Sequence, residues 1–576
     1  MDLSYKPNLS AAKISSVVRE ILDKNDRRPN ALELDVSFSE VGNEGIVTLI
    51  QSLLNITESL PLGLSLASRM NRLTPDGVSK MLNSILGDES NGDADKGSFT
   101  GAQSSLVLRS MDFGWNNLGP DQTGSKELSS SLRRLVESEN CPNVLRLYQC
   151  GLGPAVCRAI GKGLIKRSEV RDALPLTLHL CGNEAIGNAG TAALAAAIRS
   201  CKKGTVVFNE LDLSSCNIGD AGAEALALAL KGVRVLDLSN NKISNDGAAS
   251  IGRALVESDC VSDCIDLSNN HDIGDGGATD LAAAVGHNTI RNLSLRSCQV
   301  HADGAKAFGE SLIALSKLQG ECPIILDVDL SGNPLGVLRG KKNKESGKYS
   351  ASNLKSKASA TTASYMNFIG KKIRSGLKEA GLEMGTNGAS VDSDDDEDDM
   401  STDSKSDTHP DASKARCGAK AFSSAIVVTE HEEINQDKDC KVKCNLAVRH
   451  CFLDRGGADA LAATIVQSKQ RYNVDLVIDA SMNPVLEEDM IEALSGKNPD
   501  TLEEMAERHI SVLETLRVAE ERAVEASQLA ASRHRKEEEW ESDDGGLDLD
   551  RYAVDEEEYD SDARYDDEYD ENNLTS

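Results

Sequence analysis

One unit recurs along the middle of this chain, and that repetition limits the fold more than any other feature. The copies read LDLSSCNIGDAG at 211–222, VLDLSNNKISNDG at 235–247, IDLSNNHDIGDGG at 265–277 and LSLRSCQVHADG at 293–304. Alternating apolar residues predict a short strand in each copy. The later Asn or Cys, followed by an apolar residue, predicts a turn, and the Ala- and Leu-rich run after it, such as AEALALAL at 223–230, predicts a helix. First strand positions step by 25 residues from Leu211 to Leu236, 29 to Ile265 and 28 to Leu293. Earlier units are expected near Leu34, Leu64, Met111, Leu145 and Leu178 and later ones near Val328, Leu446 and Ile478, which makes twelve.

The central copies resemble the ribonuclease-inhibitor-like class of leucine-rich repeats, over residues 30–336 and 418–494. One unit cannot bury its own leucine face. Stacked neighbours do so as an α/β solenoid, a horseshoe with a parallel concave sheet and outer helices. Asn116, Asn183, Asn241, Asn270, Asn333 and Asn483 fall at the turn, where an amide satisfies backbone groups of adjacent turns. Cys150, Cys216, Cys298 and Cys451 take the equivalent place and read as structural thiols.

A bare end unit would expose its leucines, so caps are expected. Residues 1–30 read as a helical N-terminal cap, with Ser10 as N-cap and Ile14, Val17, Val18 and Ile21 as the apolar stripe. Repeats 1–10 occupy 31–336. A charged insertion, expected to be disordered, fills 337–417 and interrupts repeat 10. Repeats resume over 418–498, where GAKAF at 418–422 duplicates GAKAF at 304–308. A charged helix spans 499–540, its first half docking through Leu502, Met505, Leu513 and Leu516. The acidic tail, 541–576, reads as disordered.

Charge follows these boundaries. The 93 acidic and 62 basic residues leave −31 at pH 7, and residues 537–576 alone carry 19 acids against 2 bases. Residues 337–390 carry +8 (11 basic, 3 acidic) and 391–417 carry −7 (3 basic, 10 acidic). Within the insertion, Tyr365–Leu382 has a basic amphipathic spacing and RGKKNK at 339–344 resembles a nuclear-localisation cluster; solvated linker is the competing reading of both. Nucleic acid is disfavoured as a partner and a protein with a basic surface is favoured. No apolar stretch reaches membrane-span length, and the cysteines are scattered without a secretory signal, so an intracellular protein is expected, cytoplasmic and possibly nuclear or perinuclear.

No phosphate loop, HExxH or GxSxG motif occurs, so no catalytic residue and no cofactor is implied. Cys440, Cys444, His450 and Cys451, with the pair Cys260 and Cys264, are the nearest approach to a metal set. Their irregular spacing favours thiols of the repeat core, and no metal site is assigned. The residue between the paired apolar positions of each strand faces the concave side. That gives an acidic ladder of Asp35, Asp112, Asp212, Asp237, Asp266, Asp329 and Asp479, interrupted by Arg146, His179 and Ser294.

The crescent and acidic C-terminal region together resemble the Ran GTPase-activating proteins, as does LRLYQCGLGPAVCRAIGKGL at 145–164. That resemblance implies activation of a Ran-like small GTPase without an arginine finger. Gln149 stands at the turn where the family often carries Asn-Asn-Gly; here it reads Gln149-Cys150-Gly151. The residues themselves read as a noncatalytic protein-binding scaffold, with Asp212, Asp237, Asp266, Asp329, Arg146 and Gln149 as candidate partner-binding residues and GTPase activation as the alternative.

Overall fold

The computed structural model describes residues 2–6, 13, 16, 20, 31–56, 62–87, 106–170, 173–202, 205–258, 261–318, 323–336, 417–427 and 442–542. The expected cap residues Ser10, Ile14, Val17, Val18 and Ile21, the insertion up to 416 and the tail beyond 542 lie outside the described residues, as do Cys260 and Cys440.

Among the described residues twelve strands pair in chain order into one parallel sheet: β1 (Ala31–Asp35), β2 (Leu62–Ala67), β3 (Leu106–Asp112), β4 (Val144–Arg146), β5 (Leu176–His179), β6 (Phe208–Asp212), β7 (Val233–Asp237), β8 (Ser262–Asp266), β9 (Ile290–Ser294), β10 (Ile324–Asp329), β11 (Val442–Ala447) and β12 (Val474–Asp479). Helices follow the strands: α1 (Gly42–Ile56), α2 (Pro75–Leu86), α3 (Ser125–Glu137), α4 (Pro154–Arg167), α5 (Gly187–Ser200), α6 (Asp220–Ala227), α7 (Asn245–Ser258), α8 (Asp275–Gly286), α9 (Ala302–Ser316), α10 (Gly418–Ile426), α11 (Arg455–Tyr472), α12 (Glu488–Leu494) and α13 (Pro499–Ser542). This is an α/β leucine-rich-repeat solenoid. No helix among the described residues is long and apolar enough to cross a membrane.

Register places Leu34, Leu66, Met111, Leu145, Leu178, Leu211, Leu236, Ile265, Leu293, Val328, Leu446 and Ile478 side by side across the sheet. All are buried, and they form the apolar row under the helices. The second unit therefore aligns on Leu66, not Leu64. In LGLSLA a two-residue slip keeps every side chain on its face, so alternation alone does not distinguish the two registers.

The chain leaves the repeat at Gly336 and is next described at Cys417. There Cys417 Sγ donates to the Leu335 carbonyl at 3.3 Å and the Ala419 amide to the same oxygen at 3.2 Å. Helix α10 then packs beside α9. At the first edge, Leu3 N–H donates to Asp35 O at 2.8 Å and Tyr5 N–H to Ser37 O at 3.0 Å, so residues 2–6 pair with the end of β1 and the turn after it. This edge device was not anticipated from the sequence.

The chain divides into a compact unit of residues 1–511 and a second of 512–576. In the first, α13 buries Met505, Ala506 and His509, and Arg508 grips Asp459 of α11 with Nη2 at 2.8 Å and Nε at 3.3 Å. Of the expected docking residues, Met505 is fully buried and Leu502 half-buried. Leu513 and Leu516 belong to the second unit, where Leu513 is half-buried and Leu516 is 55% exposed.

Candidate functional site

In seven units the turn from strand to helix is built on a buried amide. Asn241 shows the pattern: its carbonyl oxygen accepts the Cys216 and Ile218 N–H groups of the preceding unit at 3.0 Å each, and its NH2 donates to the Leu213 and Leu238 carbonyls at 3.0 and 2.9 Å. Asn116, Asn183, Asn270, Asn333 and Asn483 are buried in equivalent networks. So is Asn71, which the sequence reading passed over. Where Cys replaces Asn, the thiol donates across the repeat: Cys150, Cys216 and Cys451 reach the preceding unit's carbonyl at 3.2–3.3 Å, and Cys298 does so at 3.5 Å. Burial pushes the thiols of Cys150, Cys216, Cys298 and Cys451 up to about 12, so they are poor nucleophiles and poor metal ligands at neutral pH. Of the considered metal set, Cys444 and Cys451 are buried in the core while His450 is exposed. No three His, Cys, Asp or Glu among the described residues gather around a possible ion.

The backbone enters the left-handed region at one turn position of every unit. Asn240, Asn269, Ser215, Ser297, Gly182 and Gly332 occupy it in the middle, with Phe38, Met70, Trp115, Gln149, His450 and Met482 toward the ends. Asn and Gly tolerate this conformation; the bulky residues do so at some cost.

The ladder aspartates lie on the face of the sheet opposite the helices, each between two buried apolar residues. All seven use one carboxylate oxygen in the same way. Oδ1 of Asp35, Asp112, Asp212, Asp237, Asp266, Asp329 and Asp479 accepts the N–H two residues on, at 2.8–3.0 Å. That closes the strand end as an Asx turn and leaves Oδ2 toward the open face.

What meets Oδ2 differs along the sheet. At β2, where Ala67 replaces the aspartate, Arg69 stands two residues later and reaches both neighbours, with Nη2 3.2 Å from Asp35 Oδ2 and Nε 3.8 Å from Asp112 Oδ2. The Tyr148 ring lies over Gly114, where any Cβ would collide with it, and burial, with Asp112 nearby, pushes its hydroxyl pKa up to about 12. At β11, where Ala447 replaces the aspartate, Arg449 lies 3.6 Å from both Asp329 and Asp479. Asp329, expected as a free partner contact, is thus internally paired. The sequence carried a signal for both arginines: Asp-x-Ser becomes Ala-x-Arg in these two units.

Near the middle, His179 Nδ1 is 3.3 Å from Asp212 Oδ2. Burial raises the Asp212 pKa, but hydrogen bonds from His179 and Ser214 outweigh it and leave the group below its usual value. Arg234 and Arg291 both bind Asp263, at 2.8 and 2.9 Å. Asp237 and Asp266 have no cation within 4 Å among the described residues. Burial, reinforced by Asp266 and Asp212, pushes Asp237 up to about 6. Arg146 lies in register between Asp112 and His179, half-buried. Gln149 is half-buried at its left-handed turn (φ 55°), with its amide against Gly182. A hollow of about 460 Å³ opens over β9–β12, lined by Ser294, Asp329, Ala447, Arg449 and Val477 among others.

Comparison with known proteins identifies the repeat. A family profile described as Leucine Rich repeat matches residues 208–227, 233–252, 264–282 and 286–309. The chain is 25% identical over 263 residues to a ribonuclease inhibitor of Sus scrofa, covering 40% of this chain and 53% of that protein. It is 25% identical over 227 residues to a ribonuclease inhibitor of Mus musculus, covering 33% and 46%. A third relative, NACHT, LRR and PYD domains-containing protein 5 of Bos taurus, is 28% identical over 218 residues, covering 36% of this chain and 18% of that one. The chain thus spans about half the length of the two inhibitors. Among solved structures, the yeast Rad7 and Elc1 complex aligns at 15% identity with a TM-score of 0.32, covering 56% of this chain and 67% of that one.

Proposed function

We propose that this ribonuclease-inhibitor-like leucine-rich-repeat chain is a noncatalytic protein-binding scaffold that engages a basic partner on the open face of its sheet, centred on Asp212, Asp237 and Asp266. One observation carries the reading: among the described residues Asp237 and Asp266 are the ladder carboxylates without a cation within 4 Å, while acids at both ends of the face are paired with the protein's own arginines. A basic protein surface supplies the missing charge, and complementary fields steer such a partner in a salt-dependent way. The eleven described cysteines are all free, which fits a reducing, intracellular setting.

The test is binding of the full chain to a set of small basic proteins at low and physiological salt. Changing Asp212, Asp237 and Asp266 together to Asn is expected to weaken binding at least ten-fold and flatten its salt dependence. Undiminished binding by the triple variant moves the contact off this face.

GTPase activation is the second reading, and its support is local: Gln149 stands half-exposed at a turn in the left-handed conformation, beside Tyr148 and one unit from Trp115. Single-turnover GTP hydrolysis by a Ran-like GTPase, with and without Gln149→Ala, separates the two. Acceleration that Gln149→Ala removes would replace the scaffold reading.

A further inference from the structure

The protein solves the same electrostatic problem twice with its own side chains, and leaves it unsolved once. At β2 and β11 a missing ladder aspartate is accompanied by an arginine two residues on. Arg69 spreads Nη2 and Nε over Asp35 and Asp112, and Arg449 spreads the same two nitrogens over Asp329 and Asp479. In both cases one guanidinium lies across the sheet and takes up the Oδ2 atoms that the Asx turns leave over.

In the middle three consecutive strands keep their aspartates, Asp212, Asp237 and Asp266, and carry Ser214, Ser239 and Ser268 where an arginine would stand. His179 takes Asp212, and Arg234 and Arg291 are held by Asp263. Arg296, two residues after Ser294, is exposed and within ion-pair distance of neither Asp266 nor Asp329. Ser239 and Ser268 are buried and bring no positive charge to these carboxylates.

We infer that Asp237 and Asp266 form a receptor for an arginine side chain presented by a protein partner; Arg69 and Arg449 bridge carboxylates two strands apart, whereas this pair stands on neighbouring strands. The inference rests on the reading of the sheet face as the protein-binding surface, and it adds the identity of the residue that is bound. Adjacent strands lie roughly 4.8 Å apart, a span that a planar guanidinium bridges by giving separate N–H groups to separate carboxylates. A lysine ammonium is a compact charge and does not offer that fixed fork.

The experiment measures binding of the full chain, by calorimetry at low and physiological salt, to two short peptides of equal length and charge, one carrying arginines and the other lysines. The arginine peptide is expected to bind at least ten-fold tighter, and Asp237→Asn with Asp266→Asn to abolish the difference. A second variant, Asp237→Ala with Ser239→Arg, copies the Ala447 and Arg449 pattern and supplies an internal guanidinium between Asp212 and Asp266. It is expected to keep the native circular dichroism and lose the arginine preference. Equal binding of both peptides, lost in the Asn pair, overturns the arginine receptor but keeps the basic-partner reading. Absence of binding, or binding indifferent to the Asn pair, overturns both. A folded Ala/Arg variant that still prefers arginine overturns the receptor; should that variant not fold, the Asn pair decides alone.

Discussion

Around β2, Arg69 lies within 3.8 Å of two aspartates on flanking strands; around β7, Asp237 lies between two further aspartates with no cation in reach among the described residues. The turn after each strand is built alike in both regions, although the β2–β3 pairing carries a register shift between Leu64 and Ser65. Each aspartate accepts the N–H two residues on, and the units turn on a buried Asn or Cys, with Ser39 in that place in the first unit. The two regions differ chiefly in what stands on the open face. One repeat therefore serves two ends: where acids are paired internally the face is structural, and where they are not it retains unspent attraction for a cation.

If the difference is confined to the open face, core truncations should cost the same in both regions. Leu213→Ala, in the middle, and Leu66→Ala, on β2, remove fully buried side chains, and each is expected to cost about 2–5 kcal/mol in urea unfolding. A large gap between them would mean that the regions differ in packing as well as charge.

The next largest effect lies on the paired side. Asp112 is 8% exposed, and burial already raises its pKa. Arg69→Ala strips it of its nearest cation and is expected to destabilise by roughly 1–3 kcal/mol. A neutral result would show that Arg146, across the register, suffices alone.

Asp237→Asn is expected to do the opposite. Its folded pKa of about 6 lies above the 3.8 of an ordinary aspartate, so the unfolded chain ionises first, and native stability falls as pH rises from about 4 to about 6. Asparagine keeps the acceptor for the Ser239 N–H and removes the charge. The variant should be more stable than the parent by about 1 kcal/mol at pH 7 after solvent screening, with the gain gone near pH 4. A pH-independent effect would contradict the unpaired carboxylate. The smallest effect is expected from Arg449→Ala, no more than about 1 kcal/mol, because Asp479 is half-exposed and Asp329 keeps its Asx-turn bond.

Most of the architecture was legible because each unit states it locally. Leu-x-Leu, Asn or Cys, and a glycine-led helix are all read within one copy, and eleven of twelve unit starts match the register of the sheet. The exception, Leu66 in place of Leu64, arises in a strand whose residues alternate throughout, where period two alone carries no register. The Asp ladder was visible as a row, but not its division into paired and unpaired stretches. Arg449 reaches an aspartate 120 positions earlier, across the interruption of repeat ten, and the Tyr148 ring lies where it does only because Gly114 leaves it room.

By itself the sequence determined the repeat, the face on which each side chain stands and most of the polar residues at the turns, because hydrophobic periodicity and turn chemistry recur in every unit. Tertiary structure decided which charges remain to be satisfied. A carboxylate is neutralised by whatever cation the neighbouring strand brings within about 4 Å, and neighbours in the sheet are set by stacking of units rather than by proximity along the chain.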